Sequence, residues 1–461
     1  MEFILAADKR VGIAKNGKLP WHIKEDMAYF KEITMGHTVV MGFNTWKSLD
    51  MKPLPGRNNI IISDVNEPIY GKDYIVSSLG LVYGLVDVEL KDNKKVFIIG
   101  GDKTFMCFLD RIKSIYLTHI DKDYKCDTFA TFFHNIHSNM NIVEHSKDYW
   151  SEKEQCNFRF LKYEKTNESH GEHQYLNLLK DILNNGHERD DRTGTGTMGV
   201  FGRQLRFDIS KYIPLLTTKF VGYKTIVKEL LWFLRGETDS KTLEKEGVNI
   251  WKGNSSEDFI TKCNLPYREG DIGPMYGFQW MHFGSEYKGC DHDYTDQGIN
   301  QLDEVIQLLT TDPYSRRIMM TTYNVSDRHK GVLYPCHGIV IQFFVENIKG
   351  IKHISCHMFQ RSSDTFLGLS FNIASYATLV YIIALKVDMV PHELIISTGD
   401  THIYKNHIEQ CKLQLSRRPY PFPKLEINPE VKTKELKDIT VDDFKLVGYL
   451  YHPIIKGDMS V

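Results

Sequence analysis

The absences in this sequence narrow it first. No apolar run approaches the roughly 20 residues that a membrane-crossing helix needs. The longest, residues 366–387, is interrupted by Asn372, Ser375, Tyr376 and Thr378 and reads as a buried helix. The first seven residues, Met1 to Ala7, are apolar apart from Glu2 and end at Asp8 and Lys9, too short for a signal sequence; they read as a first strand. The eight cysteines include no C-x-x-C pair or other metal-ligand spacing, so no metal site is expected. Scattered free thiols fit a reducing compartment, the cytoplasm. Neither sign of charge is in excess: 57 Lys and Arg stand against 59 Asp and Glu, a formal net charge of -2. No whole-chain field therefore points to nucleic acid or a membrane surface. There is no internal repeat and no low-complexity segment.

What is present is an ordinary globular balance, 42% hydrophobic and 25% charged, over 461 residues. That length exceeds what one core usually serves, so two or more domains are expected. Up to about residue 163, short β-rich runs alternate with helical patterns. Val39-Val40-Met41, Ile60-Ile61-Ile62, Val96-Phe97-Ile98-Ile99 and Ile115-Tyr116-Leu117 read as core strands of an α/β sheet. The polar stretch 165–171, ending in glycine, reads as a linker. Beyond it Tyr175, Leu178, Leu179, Ile182 and Leu183 recur at helical spacing, with Gly186 placed to stop the helix.

Several groups in the first part carry chemistry. Asp26 opens a helical pattern whose apolar members are Met27, Phe30 and Ile33. A carboxyl group beside such a stripe is raised in pKa if buried and becomes a proton donor; if solvated, it only complements the helix dipole. Two strand-to-helix junctions, Gly100-Gly101 and Met41-Gly42-Phe43-Asn44-Thr45, offer backbone N–H groups to a pyrophosphate. Arg57 follows the rigid turn Pro53-Leu54-Pro55-Gly56 and suits a carboxylate.

In order, these motifs resemble dihydrofolate reductase over about residues 3–163. The resemblance implies that Asp26 holds the pterin ring and assists protonation at N5, sharing its network with Thr118. It implies that Trp21 and Phe30 wall the pocket, that Arg57 takes the folate carboxylate, and that Thr45, Ser63, Gly100 and Gly101 line NADPH. Residues 9–19 would form the loop closing over nicotinamide. One departure stands out. The family usually carries a basic residue after the Met-Gly pair, near the cofactor's 2′-phosphate; here it is Phe43, with Asp64 following Ser63 nearby.

The second part offers a nucleophile. Cys336 sits in Tyr334-Pro335-Cys336-His337, before a strand pattern at residues 339–345. A lone cysteine is usually an inert buried thiol. Arginines recur in separate contexts: Arg192, the pair Arg316-Arg317, and Arg361. Converging, they would bind a phosphate dianion and lower a nearby thiol pKa. The Gly194-Thr195-Gly196 run lacks a following helix, since residues 198–207 alternate like a strand, which rejects a Rossmann loop. Glu229 falls between Trp232 and Phe233 on its helix, a costly place for a carboxylate without partners or a task.

Residues 172–461 resemble thymidylate synthase through Arg192-Thr193-Gly194-Thr195-Gly196-Thr197, Gly273-Pro274-Met275-Tyr276-Gly277, Pro335-Cys336-His337, Gln360-Arg361-Ser362-Ser363-Asp364, the string from Leu369 to Tyr376, and Gly399-Asp400-Thr401-His402-Ile403-Tyr404. The resemblance implies that Cys336 adds to C6 of dUMP and that 5,10-methylenetetrahydrofolate supplies the carbon. Glu229 and Tyr276 would manage protons. Arg192, Arg361 and Ser362 would hold the phosphate, with Arg316 and Arg317 serving the partner's site across a homodimer. Asn372 would read the uracil edge, His402 and Tyr404 the ribose, and Asp364 the folate; Trp251 and His337 would line the pocket. Residues 454–461 resemble the closing tail.

The expected architecture is α/β. A mainly parallel reductase-like sheet with flanking helices spans residues 1–163 and a linker 164–171. A mixed α/β synthase-like domain, 172–461, follows with a sheet-mediated dimer interface. The competing readings are a nucleotide hydroxymethylase fused to a reductase, a fusion whose reductase half is idle, and a nucleotide-responsive RNA-binding regulator. The amide of Asn372 suits uracil N3–H and O4 rather than cytosine, and hydroxymethylation yields no dihydrofolate for a reductase neighbour.

Overall fold

The computed structural model describes residues 1–91, 94–134, 140–165 and 170–459. The chain divides into two compact units, Met1–His170 and Gly171–Val461.

The first unit is built on one large sheet. Its strands run Met140–His145, Cys156–Lys165, Ser114–Ile120, Glu2–Ala7, Val96–Gly100, Thr38–Gly42, Asn58–Ile62, Tyr74–Ser77 and Ile69–Tyr70. From Ser114–Ile120 to Tyr74–Ser77 neighbours pair in parallel. The last strands at each edge are antiparallel. The expected apolar runs supply the central strands; Val39, Val40, Met41, Phe97, Ile98 and Ile115 are wholly buried. Continuous apolar runs suit strands covered on both faces. The carboxyl ends of the parallel strands deliver the glycine junctions Gly42 and Gly100 to one edge of the sheet. Glu164 and Lys165 continue the strand Cys156–Lys165, pairing with Asn141 and Met140, so the sheet runs two residues past the expected boundary at 163. Residues 166–169 of the expected linker lie outside the described residues.

The second unit holds a six-stranded sheet in the order His187–Arg189, Thr197–Asp208, Val390–Tyr404, Ile351–Asp364, Val340–Ile348, Met319–Met320. Only the central pair, Ile351–Asp364 with Val390–Tyr404, is parallel. The helix Gly368–Lys386 makes the crossover between them and is buried over most of its surface. It is long and apolar enough to pass a membrane test by length and composition, but its interior position marks a core helix. It packs on the helix Tyr223–Leu234, which carries Glu229. Along Val340–Ile348, Ile341, Phe343 and Val345 point into the core while Phe344 is 62% exposed. Phe201, on the same sheet, is 81% exposed. This period-2 split leaves an outer sheet face, with Phe344 exposed among Gln342, Glu346, Arg206 and His357, uncovered among the described residues.

Candidate active sites

In the first unit Asp26 is the third residue of the helix Lys24–Thr34 rather than its opener, and it is buried. Burial raises its carboxyl pKa, while a hydrogen bond from Thr118 opposes the rise. Thr118 is buried on the central strand Ser114–Ile120. Arg57 is 8% exposed and bonds Pro55 O at 3.1 Å and Thr34 Oγ1 at 3.1 Å, with its guanidinium 5.9 Å from the Phe30 ring centroid. Burial lowers its pKa, and it has no carboxylate partner among the described residues. A guanidinium desolvated without a counter-ion is prepared for an anion from outside. Trp21 is buried against Tyr124, ring centroids 5.2 Å apart, and its indole N–H has no partner. His22 N donates to Glu154 Oε1 at 2.8 Å, and Asn16 N to Asp127 Oδ2 at 2.7 Å; these bonds pin the loop before the helix.

The two glycine junctions are bare backbone. A Cβ on Gly100, whose φ is +136°, would lie 3.2 Å from Thr45 Oγ1, and one on Gly42 would lie 2.7 Å from Thr104 Oγ1. Side chains are excluded there, and a dinucleotide backbone can approach closely. Among the described residues Ser63 bonds through its backbone, its N–H donating to Ser77 O at 3.0 Å and its carbonyl accepting from Val65 N at 3.0 Å.

In the second unit the expected residues assemble around Cys336. The Tyr276 hydroxyl lies 3.3 Å from the Cys336 sulfur and accepts the Cys336 amide at 3.0 Å. Tyr276 holds φ +37°, a strained conformation for a tyrosine, at the entry to the helix Gly277–Met281. Its ring stacks on His337 at 4.4 Å, and His337 Nδ1 pairs with the Tyr376 hydroxyl at 2.9 Å. Burial pushes the His337 pKa down to about 3, so the ring is neutral. The Trp251 indole donates to Glu229 Oε1 at 2.9 Å. Burial pushes the Glu229 carboxyl up to about 7, against that bond.

The thiol corrects one expectation. Cys336 is held above the ordinary thiol range because burial outweighs the Tyr276 bond and the Arg361 charge, while Glu229 pushes it further up. The arginines do not all converge within one chain. Arg361 N donates to Cys336 O at 2.8 Å, Ser362 N to the same oxygen at 3.4 Å, and Arg361 Nε to Pro335 O at 3.2 Å. Arg192 is exposed, 5.9 Å from the Phe259 ring centroid, and its charge acts on Tyr404. Arg316 and Arg317 are exposed and join none of these groups among the described residues.

Three supporting residues escaped the sequence reading. Gln360 Oε1 accepts from Asn372 Nδ2 at 3.1 Å, and Asp400 Oδ1 pairs with His402 Nδ1 at 3.0 Å. Tyr376 holds His337, as above. Period alone offered a signal for one of them, since Asp400 and His402 are two apart on a strand; Gln360 and Tyr376 meet partners distant in sequence. Asp364 Oδ1 accepts from Phe366 N at 3.1 Å and Leu367 N at 3.2 Å, leading into the helix Gly368–Lys386. The tail is docked: His407 Nε2 pairs with Asp458 O at 2.9 Å, and Arg417 Nη1 with Pro453 O at 2.7 Å. Residues 460–461 of the expected closing tail lie outside the described residues.

One unit holds a buried acid and, on the same sheet, bare glycine backbone; the other holds a tyrosine-held thiol near a carboxyl pushed up to about 7, chemistry suited to an enzyme with two centres. The family comparisons agree with both. Residues 1–165 match the dihydrofolate reductase family and residues 173–461 the thymidylate synthase family. The chain is 41% identical to a bifunctional dihydrofolate reductase-thymidylate synthase of Paramecium tetraurelia, over 99% of this chain and 98% of that one. It is 37% identical to the Zea mays protein of the same description, over 100% and 96%. The Plasmodium chabaudi protein, also so described, is 37% identical over 92% and 83%. The chain belongs to the bifunctional dihydrofolate reductase-thymidylate synthase family.

Proposed function

We propose that Cys336 and Asp26 are the working residues of two consecutive reactions. The protein converts dUMP and 5,10-methylenetetrahydrofolate to dTMP and dihydrofolate, then reduces that dihydrofolate with NADPH. The observation that carries the residue assignment is the contact between the Tyr276 hydroxyl and the Cys336 sulfur, 3.3 Å, beside the Glu229 carboxyl.

In the synthase unit Cys336 adds as thiolate to C6 of dUMP, which makes C5 nucleophilic toward the folate's one-carbon unit. Arg361, Ser362 and Arg192 grip the nucleotide phosphate, and Arg361 shifts the thiol toward ionisation. Glu229, poised near neutral pH, moves protons at O4 and at the folate. Tyr276 serves the removal of the C5 proton. The folate then returns a hydride, leaving as dihydrofolate. Gln360 fixes the Asn372 amide so that its free ends meet uracil N3–H and O4. Asp400 holds His402 by Nδ1, turning Nε2 toward the ribose with Tyr404. Asp364 orients the folate, Trp251 and His337 close the pocket wall, and the docked tail excludes water.

In the reductase unit Asp26 keeps its proton by burial and passes it toward N5, with Thr118 orienting it. Phe30 and Trp21 flank the pterin, and Arg57 receives the folate carboxylate. Thr45, Ser63, Gly100 and Gly101 border NADPH, which supplies hydride when bound. Residues 166–171 join the reductase domain, whose sheet runs to Lys165, to the synthase domain, 172–461. The uncovered sheet face of the second unit pairs with its copy in a homodimer, where Arg316 and Arg317 of the partner subunit complete the phosphate site. The enzyme works in the cytoplasm, on small-molecule substrates, without nucleic acid or membrane.

Asp26→Asn is expected to abolish most dihydrofolate reduction and spare dTMP formation; Cys336→Ser is expected to do the reverse. Reduction left intact by Asp26→Asn, or dTMP formation by Cys336→Ser, would overturn the assignment.

A further inference from the structure

We propose that Asn59 is the positioning residue of the folate carboxylate site: its buried amide holds the turn that presents Arg57. The inference rests on the reading of Arg57 as the carboxylate's partner.

Asparagine is depleted in strands, and an amide buried in a sheet needs partners at both its ends. Asn59 is the second residue of the strand Asn58–Ile62 and is 1% exposed. Its Oδ1 accepts from Leu54 N at 2.9 Å. Its Nδ2 donates to Arg57 O at 2.9 Å, Asp73 O at 3.1 Å and Leu54 O at 3.2 Å, so its two N–H bonds are shared among three carbonyls. The amide thus closes the chain from Leu54 to Arg57 on itself and stitches it to Asp73, whose carbonyl also accepts from Asn59 N at 3.3 Å. A backbone bond from Gly36 N to Gly56 O, 2.9 Å, ties the same turn to the chain just beyond the helix Lys24–Thr34.

Arg57 stands at the end of this frame. Its carbonyl is held by the Asn59 amide and its guanidinium by Pro55 O and Thr34 Oγ1, so both ends of the residue are fixed. Thr34 Oγ1 in turn donates to Phe30 O at 2.7 Å. The other guanidinium N–H groups have no partner among the described residues. A forked grip on a carboxylate needs the guanidinium placed as well as charged. Without the Asn59 amide, Leu54, Arg57 and Asp73 each lose a main-chain partner, and the turn is free to relax about Gly56, whose φ is +71°. The guanidinium then keeps its charge and loses its aim. Asn59 acts through Arg57 rather than on the substrate.

The test gives the full chain NADPH and one of two substrates: dihydrofolate, which carries the glutamate carboxylates, or 6-methyl-7,8-dihydropterin, which lacks them. The readout is the ratio of kcat/KM for the first to kcat/KM for the second. Asn59→Ala is expected to lower that ratio about tenfold, through KM for dihydrofolate. An amide that only supports the fold would lower both values together; a ratio left at its wild-type value overturns the proposal. Asn59→Ser takes the place of Asn59→Ala if the latter does not fold. Arg57→Leu is expected to lower the ratio at least as far, and Asn59→Ala added to Arg57→Leu is expected to lower it no further. A further loss in the double variant also overturns the proposal, because the amide would then act other than through Arg57. A ratio unmoved by Arg57→Leu overturns the reading of Arg57 itself.

Discussion

The Tyr276 hydroxyl accepts the Cys336 amide at 3.0 Å and stands 3.3 Å from the Cys336 sulfur, so one side chain fixes both the backbone and the reactive atom of the nucleophile. Tyr276→Phe leaves that amide without its acceptor, a loss of about 1–3 kcal/mol. It also removes a bond that favours the thiolate. The rate of dTMP formation is expected to fall roughly a hundredfold. Alkylation of Cys336, followed by mass spectrometry of its peptide, should shift to higher pH.

Glu229 trades stability for catalysis. Its carboxyl is pushed up to about 7, so below the ordinary carboxyl range it is protonated folded and unfolded alike and costs nothing. As pH rises from the ordinary carboxyl range to about 7, the unfolded chain ionises while the folded carboxyl keeps its proton, so stability falls by roughly 3 kcal/mol, with no further loss above 7. Glu229→Gln is therefore expected to abolish dTMP formation yet raise the melting temperature of the second unit at pH 8, with no gain at pH 4. Trp251→Phe removes the bond that restrains the shift, so the acid limb of the synthase pH profile should move upward. Calorimetry and rate profiles check the two outcomes.

The sequence made the strands and the chemistry legible to different depths. Apolar runs such as Val39-Val40-Met41 announced central strands because both faces of a parallel sheet are covered. The interrupted run before Val387 was readable as a core helix because Asn372, Ser375 and Tyr376 break its apolar surface. Single residues near Cys336 were less legible. The arginine motifs suggested that several guanidinium groups would gather and acidify the thiol, but within one chain burial dominates and, among the described residues, Arg361 is the arginine that lowers it. The partners Gln360, Asp400 and Tyr376 act through neighbours, and their identity is meaningful only once the fold sets the faces.

Arg57 is a desolvated cation awaiting an anion. Arg57→Leu is expected to raise KM for dihydrofolate by about ten- to a hundredfold with little change in kcat, because the carboxylate it grips is remote from the reacting atoms. Loss of a buried charge without a counter-ion should leave the melting temperature unchanged or higher. Steady-state kinetics beside a melting curve separates this from simple misfolding.

The proposed sharing of each synthase site between two subunits makes a distinct demand. Neither Cys336→Ser nor the double variant Arg316→Ala, Arg317→Ala should form dTMP efficiently alone. Remixing them after subunit exchange should restore about a quarter of wild-type activity, since half the dimers are mixed and each carries one complete site. No recovery would place those arginines outside the partner's site.

The most direct test gives the purified chain dUMP, 5,10-methylenetetrahydrofolate and NADPH, and follows dTMP and NADPH together. One NADPH consumed per dTMP, and none without dUMP, is the expected result. Formation of dTMP without NADPH loss, or NADPH loss indifferent to dUMP, would contradict the coupling of the two centres.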